Sequence, residues 1–152
     1  LDTENAYLRV KITEISHLEQ KIWTKKDGSS LIGFSLTVCG PICDSQIAFF
    51  NDTYKPENDD SIIPLTSVFD FIDLEKTKEK NINPVDLFEK SDAFFASFSL
   101  SPTDNNIFLN IHIDEFLPEE IYEELKQYLK GNKIELVWDN QGFFKKGEVS
   151  WK

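Results

Sequence analysis

Alternation of apolar and polar side chains is the feature that most restricts how this chain folds. Near the start, Leu8, Val10 and Ile12 alternate with Arg9 and other polar residues, which is the two-residue period of a half-buried β-strand. The same period returns in two later parts of the chain. Short turns rather than long crossovers separate the alternating segments, so the pattern predicts antiparallel sheets.

Turn residues between these segments predict the first hairpins. Lys25–Gly28 should turn the chain into the strand Ile32–Val38, and the Gly40-Pro41 pair should turn it again into a strand at Gln46–Phe50. These strands would form an antiparallel meander.

A longer hairpin is predicted over Ala93–Ile113, around a turn at Ser101–Asn106. One of its faces is wholly apolar, whereas the other holds Phe108, Asn110 and His112. Its strands are the most apolar in the chain, so we expect the hairpin at the centre of the sheet.

A clear helical period appears only in the second half of the chain. Pro118–Lys130 is predicted as an amphipathic helix packed on the sheet, with Ile121 and Leu125 on its apolar face. Shorter helical pieces are expected within residues 67–90. The predicted fold class is α+β, with about seven or eight mainly antiparallel strands in one globular domain spanning residues 1–152.

Charge restricts the function classes. The 152 residues include 16 Lys+Arg and 27 Asp+Glu, which gives a formal net charge of −11. A general nucleic-acid binder needs clustered cations, and an anionic membrane surface repels excess acid. We therefore expect no membrane partner and regard nucleic acid as an unfavourable one.

The start of the chain and its cysteines bear on location. Leu1–Asn5 lacks the basic and apolar regions of a signal peptide, which predicts a cytoplasmic protein. The absence of methionine leaves open a signal removed before Leu1. Cys39 and Cys43 are interpreted first as buried or turn thiols, and the alternatives are a local disulfide across the Gly-Pro turn or a reactive pair.

Acidic residues concentrate in Asp104–Glu124, which holds seven carboxylates and no Lys or Arg. Acids in a first helical turn stabilise the helix, so a solvated face is one interpretation. However, Glu119/Glu123 and Glu120/Glu124 are like-charge pairs that destabilise a helix by a few tenths of a kcal/mol. We therefore also predict a partner-binding face, whose residues are Asp114, Glu115, Phe116, Glu119, Glu120, Tyr122, Glu123 and Glu124.

Catalytic motifs are not recognisable in the sequence. His17 and His112 belong to no evident Ser or Cys constellation, and two histidines with two cysteines at this spacing do not predict a zinc site. Carboxylate pairs such as Asp70 with Asp73 are unspecific among 27 acids. The prediction is a protein that is not an enzyme, with no catalytic residues, no metal and no cofactor.

The functional hypothesis is an acidic protein-binding module, in particular an immunity or inhibitor protein that covers the active site of a basic toxin or nuclease. One alternative is an OB-like nucleic-acid-binding module. The first hairpin resembles the start of such a five-stranded barrel, and Trp23 with Lys21, Lys25 and Lys26 would form its binding surface. Another alternative is a non-catalytic subunit or adaptor.

Overall fold

Two antiparallel four-stranded sheets form the frame of the protein, in a computed structural model that describes residues 1–89 and 95–152. The side chains at positions 88, 89 and 116 lie outside that description. In each sheet the strands follow chain order. The first sheet contains β1 (Tyr7–Thr13), β2 (Ser16–Thr24), β3 (Ser30–Cys39) and β4 (Cys43–Asn51), and the second contains β5 (Ala96–Leu100), β6 (Ile107–Ile111), β7 (Lys133–Trp138) and β8 (Phe144–Ser150).

Helical segments connect the strands and are all short. A 3-10 turn spans Val68–Phe71, and the α-helices are α1 (Leu74–Glu79), α2 (Pro84–Glu89), α3 (Ile113–Phe116) and α4 (Glu119–Lys126). The predicted α+β class, with eight antiparallel strands and few helices, is confirmed.

The helix predicted over Pro118–Lys130 ends early, and tertiary hydrogen bonds explain why. The Asp73 N–H donates to the Tyr128 carbonyl at 2.8 Å, and the Lys130 N–H donates to the Phe71 carbonyl at 2.8 Å. These bonds draw the backbone after α4 into a strand-like pairing with the segment after the 3-10 turn. Helical periodicity in the sequence does not reveal such long-range pairing.

Four aromatic rings pack where the two sheets meet. The ring of Trp23 lies 6.2 Å from Phe49 in its own sheet, and 6.0 Å and 5.3 Å from Trp138 and Phe144 in the second sheet. A Cβ atom on Gly33 would lie only 2.6 Å from the Trp23 ring. Gly33 therefore leaves the space that the ring occupies, and the rings join the sheets into one core.

Hydrogen bonds from side chains also join the sheets. β5 is an edge strand of the second sheet, and its free edge faces the first sheet. Three hydrogen bonds, which we call the edge bonds, reach this edge from the first sheet: Ser35 Oγ donates to Phe98 O (3.0 Å), Leu100 N donates to Glu19 Oε2 (3.3 Å), and Lys21 Nζ donates to the carbonyl of Ser101, the residue after β5 (2.8 Å). An edge strand left unpaired would invite aggregation, and these side chains take the place of a neighbouring strand.

The predicted central position of the Ala93–Ile113 hairpin is wrong for one of its strands. β6 lies inside the second sheet, but β5 has β6 as its only backbone-paired neighbour in the described sheet. The hairpin prediction at Ala93 and Phe94 lies outside the described residues. β6 ends at Ile111, because Ile113 begins helix α3.

Part of the first sheet has the opposite polarity from the one its alternation suggests, although Trp23 and Phe49 on its inner face belong to the core. Val10, Ile12 and Val38 lie on the outer face and are 42%, 54% and 45% exposed. The inner face carries Glu19 and Lys21, which are 3% and 1% exposed. The expectation that the apolar side of β1 is its buried side is therefore wrong, because the edge of β5 requires polar groups opposite it.

The aromatic core predicts a large effect of truncating Trp23. Trp23→Ala should lower the free energy of unfolding by about 3–5 kcal/mol, because it leaves a cavity between the sheets. Trp151→Ala is the matched control: its side chain is 42% exposed, and its loss should cost at most about 0.5 kcal/mol. Urea unfolding monitored by far-ultraviolet circular dichroism measures both, and equal losses would contradict this description of the core.

Candidate functional site

A polar cavity of about 270 Å³ opens between the two sheets. Its walls include Arg9, His17 and Glu19 from the first sheet, Ser97 from the second sheet, and His112 directly after β6. Burial lowers the pKa of His17, and the positive charge of Arg9 adds to this effect. The cavity therefore combines a guanidinium cation, a carboxylate, imidazoles and a hydroxyl in a partly desolvated space.

Ser97, His112 and Glu115 form a hydrogen-bonded series in this cavity, which we call the relay. Ser97 Oγ lies 2.7 Å from His112 Nε2, and His112 Nδ1 lies 3.0 Å from Glu115 Oε1. In the neutral imidazole, a carboxylate that accepts from Nδ1 selects the tautomer with its proton on Nδ1, and that tautomer leaves Nε2 to accept the Ser97 hydroxyl proton.

The hairpin and the following helix position the relay. Ser97 on β5 pairs with Asn110 on β6, which places His112 two residues further along on the same face. The chain then enters α3, and Glu115 in its first turn reaches back to the imidazole three residues earlier. Ser97 and His112 are both buried, whereas the side chain of Glu115 is 40% exposed.

Cys39 and Cys43 line the same cavity and are joined by a disulfide. The two residues are direct partners in the β3–β4 pairing, so the turn between them brings their side chains together. The first interpretation, free thiols, is wrong, and the local bridge that was one alternative is present.

The acidic surface consists of Asp114, Glu119, Glu120, Glu123 and Glu124, which are all exposed. Lys126 lies 3.6 Å from a Glu123 carboxylate oxygen, and its Nζ lies 5.5 Å from the centre of the Tyr122 ring. Tyr122 is half-buried, and burial, with the charge of Asp114, raises its pKa.

The structure thus brings five of the eight predicted partner-binding residues onto one exposed segment, with Tyr122 partly beneath it. Glu115 differs from its neighbours, because its carboxylate binds His112. The side chain of Phe116 lies outside the described structure.

Trp23 is not part of a nucleic-acid surface. It is completely buried, and its indole N–H donates to the Asn105 carbonyl at 2.8 Å. Lys21 is also buried, and desolvation lowers the pKa of its ammonium group. The prediction that these two residues form an exposed binding surface is wrong, because both side chains are used to join the sheets.

Residues 1–143 match the family described as "Protein of unknown function (DUF3256)". The chain belongs to the DUF3256 family. A solved structure of a domain of an uncharacterized protein from Porphyromonas gingivalis W83 is similar, with a TM-score of 0.78, 22% sequence identity, and coverage of 93% of this chain and 70% of that one. No curated protein matches the chain. At this identity the similarity shows the fold alone.

No helix in residues 1–89 and 95–152 is long and apolar enough to cross a membrane. Within the same ranges, no group of three or more His, Cys, Asp or Glu side chains is arranged to hold a metal ion.

Ser97 was missed as a site residue, and His112 was treated as isolated. A signal for the contact exists in the sequence, since the predicted turn at Ser101–Asn106 fixes which residues of the hairpin face each other. That register puts Ser97 and His112 on one face, but the bend that brings Glu115 back to the ring has no comparable signal.

The disulfide predicts a redox-dependent stability for this DUF3256 chain. Its closed loop is short, with a sequence separation of 4, so the bridge should contribute about 2 kcal/mol by restricting the unfolded chain. Cys39→Ser/Cys43→Ser should lose that amount in urea unfolding and should not respond to reductant. The wild type should show the loss only when reductant is added, and a wild type that unfolds identically in both conditions would contradict the bridge.

Proposed function

We propose that this DUF3256 chain is an acidic protein-binding module whose partner is a basic protein. The finer proposal is an immunity or inhibitor protein that covers the active site of a basic toxin or nuclease. The proposal includes no catalytic step and no cofactor for this surface.

The exposure of the acidic surface is the observation that supports the proposal. Residues 114–126 hold six acids and a single basic residue, Lys126, and all six acids are exposed. Concentrated charge of one sign steers a partner of opposite sign and raises its association rate. Tyr122 beside this surface could supply an apolar anchor, since aromatic residues carry much of the binding energy of interfaces.

The disulfide bears on the compartment in which such a partner would be met. Disulfides persist in oxidising compartments and are rare in the cytosol. The Cys39–Cys43 bridge therefore favours an oxidising compartment over the cytoplasmic location predicted from the start of the chain.

A non-catalytic subunit is the second candidate function, and the outer face of the first sheet supports it. Val10, Ile12 and Val38 expose apolar surface there, and contiguous apolar patches often mark interaction sites. A partner held by this face need not be basic.

Two variants with equal charge change separate these candidates. Glu119→Gln/Glu120→Gln/Glu123→Gln/Glu124→Gln neutralises the acidic surface, and Glu4→Gln/Glu14→Gln/Glu75→Gln/Glu79→Gln is the matched control at exposed sites elsewhere. We expect wild type and control to capture the same basic protein from the native host, and the first variant to lose it. The association rate with the purified partner should fall about tenfold or more at low salt in that variant only.

A partner that both four-residue variants bind equally would contradict the acidic surface. Binding that is instead lost on Val10→Lys/Val38→Lys and is indifferent to salt would support the subunit.

A further inference from the structure

We propose that the relay is a site of ester hydrolysis, with Ser97 as nucleophile, His112 as general base and Glu115 as the residue that positions the imidazole. This inference goes beyond the partner-binding function, and it reverses the prediction that the chain has no catalytic residue. The substrate class is a small carboxylic ester that enters the cavity between the sheets.

The argument begins with the direction of the hydrogen bonds. Glu115 Oε1 lies 3.0 Å from Nδ1 of His112, and the Ser97 hydroxyl lies 2.7 Å from Nε2. A nucleophile within hydrogen-bond reach of a base, which a third group orients in turn, is the arrangement that activates a serine. The three side chains come from β5, the residue after β6 and α3, so the fold rather than local sequence assembles them.

Comparison with Ser99 shows that the contact is selective. Ser99 lies two residues along the same strand and faces the same side of the sheet. Its hydroxyl accepts a hydrogen bond from Asn110 Nδ2 at 3.2 Å. Two serines with similar surroundings therefore have different partners, and the imidazole contacts Ser97.

The cavity decides the substrate class. Its volume of about 270 Å³ is small for a ligand site and matches an ester with a short acyl chain. Arg9 and Lys152 line its wall together with Glu19, and a cation that lies beside the reacting carbonyl stabilises the oxyanion of the tetrahedral intermediate.

The reaction needs only the ester and water. Ser97 Oγ forms a bond to the carbonyl carbon while its proton moves to His112 Nε2. The ester C–O bond then breaks, and the imidazolium returns the proton to the departing alkoxide, which leaves as an alcohol. His112 next takes a proton from water, whose oxygen attacks the acyl carbon. The Oγ–C bond breaks, Ser97 regains a proton, and a carboxylic acid is released.

Covalent labelling tests the nucleophile directly. A short-chain alkyl fluorophosphonate should form an Oγ–P bond with expulsion of fluoride, and peptide mass spectrometry should locate the adduct on Ser97. Ser97→Ala should abolish labelling, whereas the matched variant Ser99→Ala should be labelled at the wild-type rate. His112→Gln, which keeps a hydrogen-bonding side chain, should slow labelling about 100-fold or more.

The labelling rates of two Glu115 variants test the role of that residue. Glu115→Gln keeps the size of the side chain, but its amide can donate to Nδ1 and so favour the wrong tautomer. Glu115→Asp keeps the carboxylate and should restore part of the labelling rate lost in Glu115→Gln. If Glu115 had only a structural role, the Glu115→Gln and Glu115→Asp variants would be labelled at equal rates whenever their thermal unfolding midpoints were equal.

Hydrolysis of p-nitrophenyl acetate and p-nitrophenyl butyrate, with an initial burst of nitrophenolate from acyl-Ser97, completes the test. A wild type that is not labelled at Ser97 overturns the proposal, and this result does not depend on whether any variant folds. Labelling that Ser99→Ala abolishes, or hydrolysis that a folded Ser97→Ala retains, would also overturn it.

Discussion

The free edge of β5 is the constraint on which the rest of the structure depends. An edge strand in the middle of a protein needs partners for its backbone groups, because an unpaired buried N–H or C=O costs about 1–3 kcal/mol. Here the side chains of Ser35 and Glu19 bond to Phe98 and Leu100 of β5 from the face of the other sheet, and Lys21 bonds to Ser101 directly after the strand. The two sheets are therefore joined by directed hydrogen bonds as well as by their aromatic core.

This arrangement buries the ionisable side chains of Glu19 and Lys21, which themselves need hydrogen-bond partners. Glu19 accepts a second hydrogen bond from the Tyr7 hydroxyl at 2.5 Å, and Lys21 Nζ also donates to the Asn5 carbonyl at 3.3 Å. Burial and the hydrogen bond to Glu19 raise the pKa of Tyr7, so its hydroxyl remains a donor. The polar inner face continues into the cavity that holds the relay, whereas the apolar outer face of the same sheet is left exposed. The polar cavity and the exposed apolar face thus both follow from the way β5 is paired.

Much of the fold could be predicted from the sequence, because alternation and turn residues are local signals. They predicted the antiparallel meander, the hairpin around Ser101–Asn106 and the α+β class, and the position of the acidic residues after Pro118 predicted an exposed acidic surface. They could not show which face of the first sheet is buried, since period-two alternation defines two faces without assigning either to the core. Trp23 and Lys21 were misassigned for this reason.

The site is less predictable than the fold, because it depends on contacts between elements. Ser97 and His112 meet through the hairpin register, and Glu115 joins them only because the chain bends into α3 directly after the histidine. In the same way, the polar groups of Glu19 and Ser35 find hydrogen-bond partners only when β5 lies against them. A single sequence carries no signal for such an encounter between two sheets.

Hydrogen exchange at the Leu100 amide is the most direct measurement of the edge bonds. This amide lies on a strand edge and donates to Glu19, whereas the Ile111 amide of the same hairpin donates to the Asn132 carbonyl at 2.9 Å. We predict that Leu100 is strongly protected in the wild type. In Glu19→Ala its protection should fall relative to that of Ile111 by about tenfold or more, the equivalent of about 1.4 kcal/mol for one lost hydrogen bond. A Leu100 amide that exchanges like an exposed one in the wild type, or that keeps its protection relative to Ile111 in Glu19→Ala, would contradict the account.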